Sequence, residues 1–202
     1  SSAASTAASS AAAGSASAAG GKGFKVGICQ LVQHEALDAA TKGFQEKLSE
    51  LVEADGGTVD YDLQNASGES ANCTTICSGF VSSNVDLIMA NATPALQAAA
   101  AATGTIPVLG TSVTEYGVAL GIDNFSGTVG TNVSGTSDLA PLDQQAAMIQ
   151  ELFPNAKKVG LLYCSAEANS QYQVDTVQKY LEKAGLTCTQ YSFNDTNDVN
   201  SV

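Results

Sequence analysis

Arginine and tryptophan are absent from the 202 residues, histidine occurs once and proline four times. All 8 basic residues are lysine, set against 20 acidic ones, for a formal net charge of −12. A chain this acidic repels phosphate backbones and anionic headgroups, so nucleic-acid binding and electrostatic membrane docking are poor roles for it. The single histidine, His34, leaves a serine or cysteine nucleophile one candidate base, and only Cys29 lies near it in sequence. The G-x-S-x-G elbow, the G-x-x-x-x-G-K-[ST] phosphate loop, a G-x-G-x-x-G after a strand and H-E-x-x-H are all missing. No cofactor or metal is expected.

With 44% hydrophobic and 14% charged residues, the composition is that of a globular protein with one large domain or two small ones. Residues 1–23 are almost entirely serine, alanine and glycine, without the apolar stripe that would dock a helix. They read as a disordered linker, interrupted too often by serine and glycine to span a membrane. The missing initial methionine suggests removal of a secretory signal, and such a tether suits a lipid-anchored N-terminus; an arbitrary tail is the alternative.

From Phe24 the pattern alternates between strand and helix. "FKVGICQL", "TVDYDLQ", "LIMAN", "TIPVLG", "KKVGLLYCS" and "TCTQYSF" are strands. Between them, residues 35–53 carry Leu37, Ala40, Phe44, Leu48 and Leu51 at helical spacing; further helices are expected near 69–83, after Thr93-Pro94, along Leu142, Ala146, Ile149 and Leu152, and over 169–184. Residues 117–135 read as an irregular glycine-rich passage before "VSGTSD". Strand and helix alternating in this way predict parallel sheets flanked by helices, and the irregular passage splits them into an N-terminal lobe, 24–138, and a partial second lobe, 139–202. The final "NDTNDVNSV" reads as the start of an unfinished helix, so a fragment with an open sheet edge is expected, prone to aggregate alone.

Five cysteines invite a redox or metal reading. Cys73 and Cys77 share a helical face with Ile76 and Phe80, which suits core packing, and Cβ atoms about 5–6 Å apart cannot close a disulfide that needs about 3.8 Å. Cys29 and Cys164 end strands in different lobes.

The segments "VGICQLVQHEALDAATKGF", "ANATPALQAAA", "VSGTSDLAPLDQQ" and "VGLLYCSAEANSQYQV" together resemble the ABC-transporter substrate-binding proteins of the tryptophan/tyrosine type, from about Phe24 to the end. The resemblance implies a two-lobed type I periplasmic-binding-protein fold. It implies no enzyme but an extracytoplasmic receptor, periplasmic or lipid-anchored, monomeric when complete, that hands a small amino acid-like ligand to permease subunits. Two departures stand out. Members run on past the point where this chain stops, and Val113-Thr114-Glu115-Tyr116 replaces an expected Val-Thr-Asp-Pro, so this loop is expected to take another shape.

In such sheets ligands sit beyond the carboxyl ends of the strands. Those ends carry Gln30, Asn91, Thr93, Thr111, Ser112, Thr114, Ser137 and Asp138 in the first lobe, with Glu167 and Asn169 in the second. Without arginine, a ligand carboxylate must rely on the N–H groups at the helix start near Thr93, its hydroxyl and the Thr111-Ser112 turn; Asp138 and Glu167 would take the ammonium. About five charge-assisted hydrogen bonds at roughly 1.5–3 kcal/mol each fix orientation. An aromatic side chain burying about 150–250 Å² adds roughly 4–6 kcal/mol. Thr93 and Asn169 have a second reading as plain helix caps, and His34, placed by the resemblance in a Gln-x-x-x-His motif, has one as a solvated loop residue. Two other functions stay open: a two-lobed racemase with Cys29 and Cys164 as facing acid and base, and a sensory ligand-binding module.

Overall fold

Along β1 (Gly23–Gln30) side chains alternate between two apolar layers. Val26 and Ile28 join Met89 under Phe44 and Leu48 of α1 (Glu35–Ala54). Cys29 faces the other way, into a larger core with Cys73, Cys77 and Phe80 of α2 (Ser70–Ser82) and the alanines of α3 (Thr93–Ala102). The computed structural model describes residues 21–195 and 197–202. Residues 1–20 of the expected linker lie outside that range, and Gly23, assigned to the linker, already belongs to β1.

The remaining strands follow the expected rhythm. β2 (Thr58–Asn65), β3 (Leu87–Asn91), β4 (Val108–Val113) and β5 (Val133–Ser137) join β1 in a five-stranded sheet of order β2-β1-β3-β4-β5, every pairing parallel. Residues 142–193 add α5 (Leu142–Leu152), β6 (Lys158–Cys164), α6 (Ala168–Lys183) and β7 (Thr187–Phe193), with β6 and β7 paired in parallel as a separate sheet. Ala146, Leu181 and Leu186 pack with Val159, Leu161 and Cys188 on one face of that sheet. Its other face stays open: Leu162 and Tyr191, paired across the strands, are 56% and 46% exposed.

Three readings of the sequence need correction. The passage 117–135 is not irregular throughout, because Tyr116–Leu120 form a short helix, α4, and β5 starts at Val133. Glu115 starts α4 by accepting from Gly117 N at 3.0 Å and Val118 N at 2.6 Å, a side-chain cap at the helix start. Leu51 and Leu152 do not complete their stripes; both are exposed, and Val52 turns inward instead of Leu51. The terminal segment agrees with its reading: Asp195 Oδ1 accepts from Asn197 N at 2.7 Å and Val202 N donates to Asp198 O at 3.1 Å, a cap and a single turn at 197–201.

Between β4 and β5 the ladder slips by a bulge bracketed by Gly110 and Val113. Tyr116 lies against this bulge with its hydroxyl donating to Thr136 O at 3.2 Å. Glycine is required where it fits: a Cβ at Gly110 would stand 2.4 Å from the Tyr116 hydroxyl.

Candidate functional site

The carboxyl ends of β1, β3, β4 and β5 open toward one edge, and the first residues of α1, α3 and α4 sit above them. At this edge the chain leaves β3 through Ala92, whose φ of 96° and ψ of 158° belong to a region otherwise used by glycine. Ser112, near the end of β4, also holds a positive φ, 53°. Non-glycine residues in such conformations cost of order 1–3 kcal/mol, and they concentrate at functional sites. Ala92 is fixed there by its N–H donating to Thr111 O at 3.0 Å.

Ala92, not Thr93, is therefore the cap of α3, and it contributes no side-chain bond. Thr93 occupies the first helical position and Pro94 the second, so unpaired amides at this start come from Thr93 and Ala95. The Thr93 side chain is buried to 2% exposure, and its hydroxyl has no hydrogen-bond partner. Its cap reading is thus overturned, while the polar group stays unspent.

Gln30 and Asn91 belong to a network that the sequence did not suggest. Gln30 Nε2 donates to Val32 O at 2.9 Å and to Asp38 Oδ1 at 2.6 Å, and Gln30 Oε1 accepts from the Thr41 hydroxyl at 2.7 Å. The Asn91 amide donates to Leu37 O at 2.8 Å and to the same Thr41 hydroxyl at 2.9 Å. This ties α1 to the ends of β1 and β3. Gln30 has both amide hydrogens committed inside the protein, whereas Asn91 Oδ1 is buried and unpartnered. Thr41 was missed as a site residue, though a hydroxyl four residues after Leu37 on the inner stripe of α1 is the signal that marks it. Thr41→Val should cost about 2–3 kcal/mol of stability by leaving Gln30 and Asn91 short of partners, while Thr41→Ser should cost under about 1 kcal/mol; urea unfolding of the pair measures the difference.

His34 is exposed and caps α1, its Nδ1 accepting from Ala36 N at 3.2 Å. Ser137 holds the turn after β5, its hydroxyl donating to Thr114 O at 2.7 Å. Thr114 itself is buried, Thr111 and Ser112 are half-buried, and the Asp138 side chain is exposed while its N–H donates to Val113 O at 3.0 Å.

The two sheets meet at this same edge. α4 packs against α6, and Asn169 Nδ2 donates to Thr114 Oγ1 at 3.5 Å. Glu167, not Asn169, occupies the cap position of α6, so the cap reading of Asn169 is also overturned. Asn169 Oδ1 is buried without a partner. Thr93, Asn91 and Asn169 are thus three positions proposed from sequence at which a buried polar atom has no protein partner among the described residues.

Cys29 and Cys164 do not face each other. Cys29 lies in the core under α2, and Cys164 donates its thiol to Asn194 O at 3.4 Å at the end of β6. That removes the geometric basis for a thiol acid and base pair. Among the described residues no three histidine, cysteine or acidic side chains could hold a metal ion, and no helix is long and apolar enough to cross a membrane.

Tyr116 adds a pH dependence. Burial first, then the negative charge of Asp138, pushes its phenol up to about 12 from 10. The folded state thus holds the proton more tightly, and this contribution to stability is whole below pH 10 and is lost as pH rises toward 12. The loss amounts to roughly 2–3 kcal/mol. Alkaline unfolding followed by circular dichroism should show this increment in the parent and not in Tyr116→Phe.

Parallel sheets in two units, meeting at the strand ends beside strained backbone and unpartnered polar atoms, are the architecture of type I periplasmic binding proteins. The chain belongs to the ABC transporter substrate binding protein family, whose profile matches residues 25–202. It is 38% identical over 177 residues to a tyrosine-binding protein of Clostridioides difficile, covering 88% of this chain and 51% of that one. It is 37% identical to a solved ABC domain of Streptococcus pneumonia in complex with L-Trp, with a TM-score of 0.81, covering 89% of this chain and 60% of that one. A ligand-free, open substrate binding protein with adhesive properties from Clostridium difficile is 39% identical at 88% and 60% coverage, with a TM-score of 0.62. At similar identity and coverage, the TM-score is higher against the L-Trp complex than against the ligand-free, open structure. The chain spans about half the length of the tyrosine-binding relative.

Proposed function

We propose that this chain is the solute-binding component of an ABC importer, with one lobe over residues 24–138 and part of a second over 139–202. It takes an α-amino acid between them, aromatic ones preferred, and delivers it to permease subunits at the outer face of the membrane, as a monomer tethered through a lipidated N-terminus. The observation that carries this reading is the start of α3, where a buried, unpartnered Thr93 hydroxyl stands beside a strained, uncapped helix N-terminus.

The Thr93 hydroxyl and the amides of Thr93 and Ala95 donate to the ligand carboxylate, supplemented by the Thr111-Ser112 turn. Unpartnered carbonyl oxygens on Asn91 and Asn169 accept from the ammonium, and Asp138 and Glu167 supply the negative charge around it. Thr114 joins the two units through Asn169. Gln30, Ser137 and His34 act behind this site by fixing the ends of β1 and β5 and the start of α1. The relatives that bind tyrosine or carry L-Trp support an aromatic side chain in the remaining space.

Calorimetric titration of the full-length protein against the twenty amino acids tests the reading. Tyrosine or tryptophan should bind at micromolar affinity or tighter, with aliphatic amino acids at least about tenfold weaker. Absence of heat with every amino acid would overturn it.

A further inference from the structure

The core beneath α2 holds three thiols that the binding site does not use. Gly27 of β1 lies directly under Phe80, since a Cβ there would stand 2.5–2.8 Å from its ring. Cys29 is two residues further along the same face of β1, an advance of about 6.6 Å. α2 runs antiparallel to the strands, as a crossover helix between β2 and β3 must, so the same advance leads backward along the helix from Phe80. Cys77 lies about 4.5 Å and Cys73 about 10.5 Å along that path. Cys29 therefore sits between the two, and all three side chains are completely buried in one cluster. The neighbouring thiols of Cys73 and then Cys77, with burial after them, push the Cys29 thiol up, and the nearness of Cys29 draws the Cys73 thiol down.

We propose that Cys29 is the shared partner of two alternative disulfides, to Cys73 or to Cys77, closed by a peroxide. Cys73 and Cys77 cannot pair with each other, one helical turn apart. In the reaction one α2 thiol, reacting as thiolate, attacks a peroxide oxygen to give a sulfenic acid, with hydroxide leaving and taking the thiol proton to form water. The Cys29 sulfur then displaces the sulfenic hydroxyl as a second water, so two thiols are oxidised by two electrons and one hydrogen peroxide becomes two waters. The bond would tie α2 to β1, immediately before Gln30. It does not depend on the ligand reading.

The test uses the full-length protein with every cysteine other than Cys29, Cys73 and Cys77 replaced by serine, treated with hydrogen peroxide while folded. Of its three remaining thiols, titration after denaturation should find one, dithiothreitol should restore all three, and digestion should yield a peptide containing Cys29 linked to Cys73 or Cys77. Adding Cys73→Ala or Cys77→Ala should leave two thiols that both disappear, whereas adding Cys29→Ala should leave two that both persist. Three persistent thiols, or loss that dithiothreitol does not reverse, would overturn the proposal. So would disappearance of both thiols in the Cys29→Ala chain; should that chain not fold, the linked peptide from its parent decides alone.

Discussion

Thr93→Val is expected to weaken binding of an aromatic amino acid by about 10- to 100-fold while raising the stability of the ligand-free protein by about 1–2 kcal/mol. Valine keeps the shape of threonine and removes only the hydroxyl. In most buried positions that change breaks a bond and destabilises. Here the hydroxyl has no partner in the protein, so its removal relieves a desolvation cost, and only the ligand loses a contact. A hydrogen bond to a charged group contributes about 1.5–3 kcal/mol, which sets the affinity change. Opposite signs in calorimetric affinity and thermal melting are the signature of a group kept for binding. Loss of both affinity and stability would show that Thr93 serves the fold.

Gly135→Ala is expected to destabilise the protein by more than about 3 kcal/mol, enough to leave a poorly folded chain. Its φ is +154°, and a Cβ would lie 2.1 Å from Gly110 O and 2.2 Å from the Tyr116 hydroxyl. Backbone cannot yield there without breaking the β4 and β5 pairing, and Tyr116 cannot yield without losing Thr136 O. In contrast, Gly43→Ala on α1 meets open space and should be neutral or stabilising by under about 1 kcal/mol. Urea unfolding of the two variants side by side checks the contrast, and equal midpoints would contradict the packing described for Tyr116.

Much of this architecture is legible from local patterns. Val26 and Ile28 against Gly27 and Cys29, and the inner stripe from Leu37 to Leu48, mark strand and helix because burial on one face imposes periods of two and of 3.6. Where local signals are short or compete, reading fails. α4 has five residues and starts from a glutamate cap rather than a proline, so no stripe announces it. Leu51 and Val52 are neighbours of similar hydrophobicity, and spacing alone does not say which turns inward; Val52 does, lying where a Cβ at Gly57 would meet it at 2.8 Å.

The site shows the same division. Polar residues at strand ends single out Asn91, Thr93, Thr114 and Asn169, because a parallel sheet dictates where those ends converge. Their partners do not follow from spacing, since Thr41 reaches Asn91 across 50 positions and Asn169 reaches Thr114 across 55. Nor does an alanine reveal that it holds a φ of 96°, since residue type signals that conformation only when it is glycine. Thr93 looked like a cap for that reason: hydroxyl before proline is the ordinary signature, and the strained Ala92 took the position instead.

The most direct measurement is a calorimetric comparison of L-tyrosine with tyramine, which keeps ring and ammonium and lacks the carboxylate. If amides at the start of α3 and the Thr93 hydroxyl hold that carboxylate, tyramine should bind the full-length protein at least about 100-fold more weakly, the loss of two or more charge-assisted hydrogen bonds. Equal affinity for the two would contradict the account.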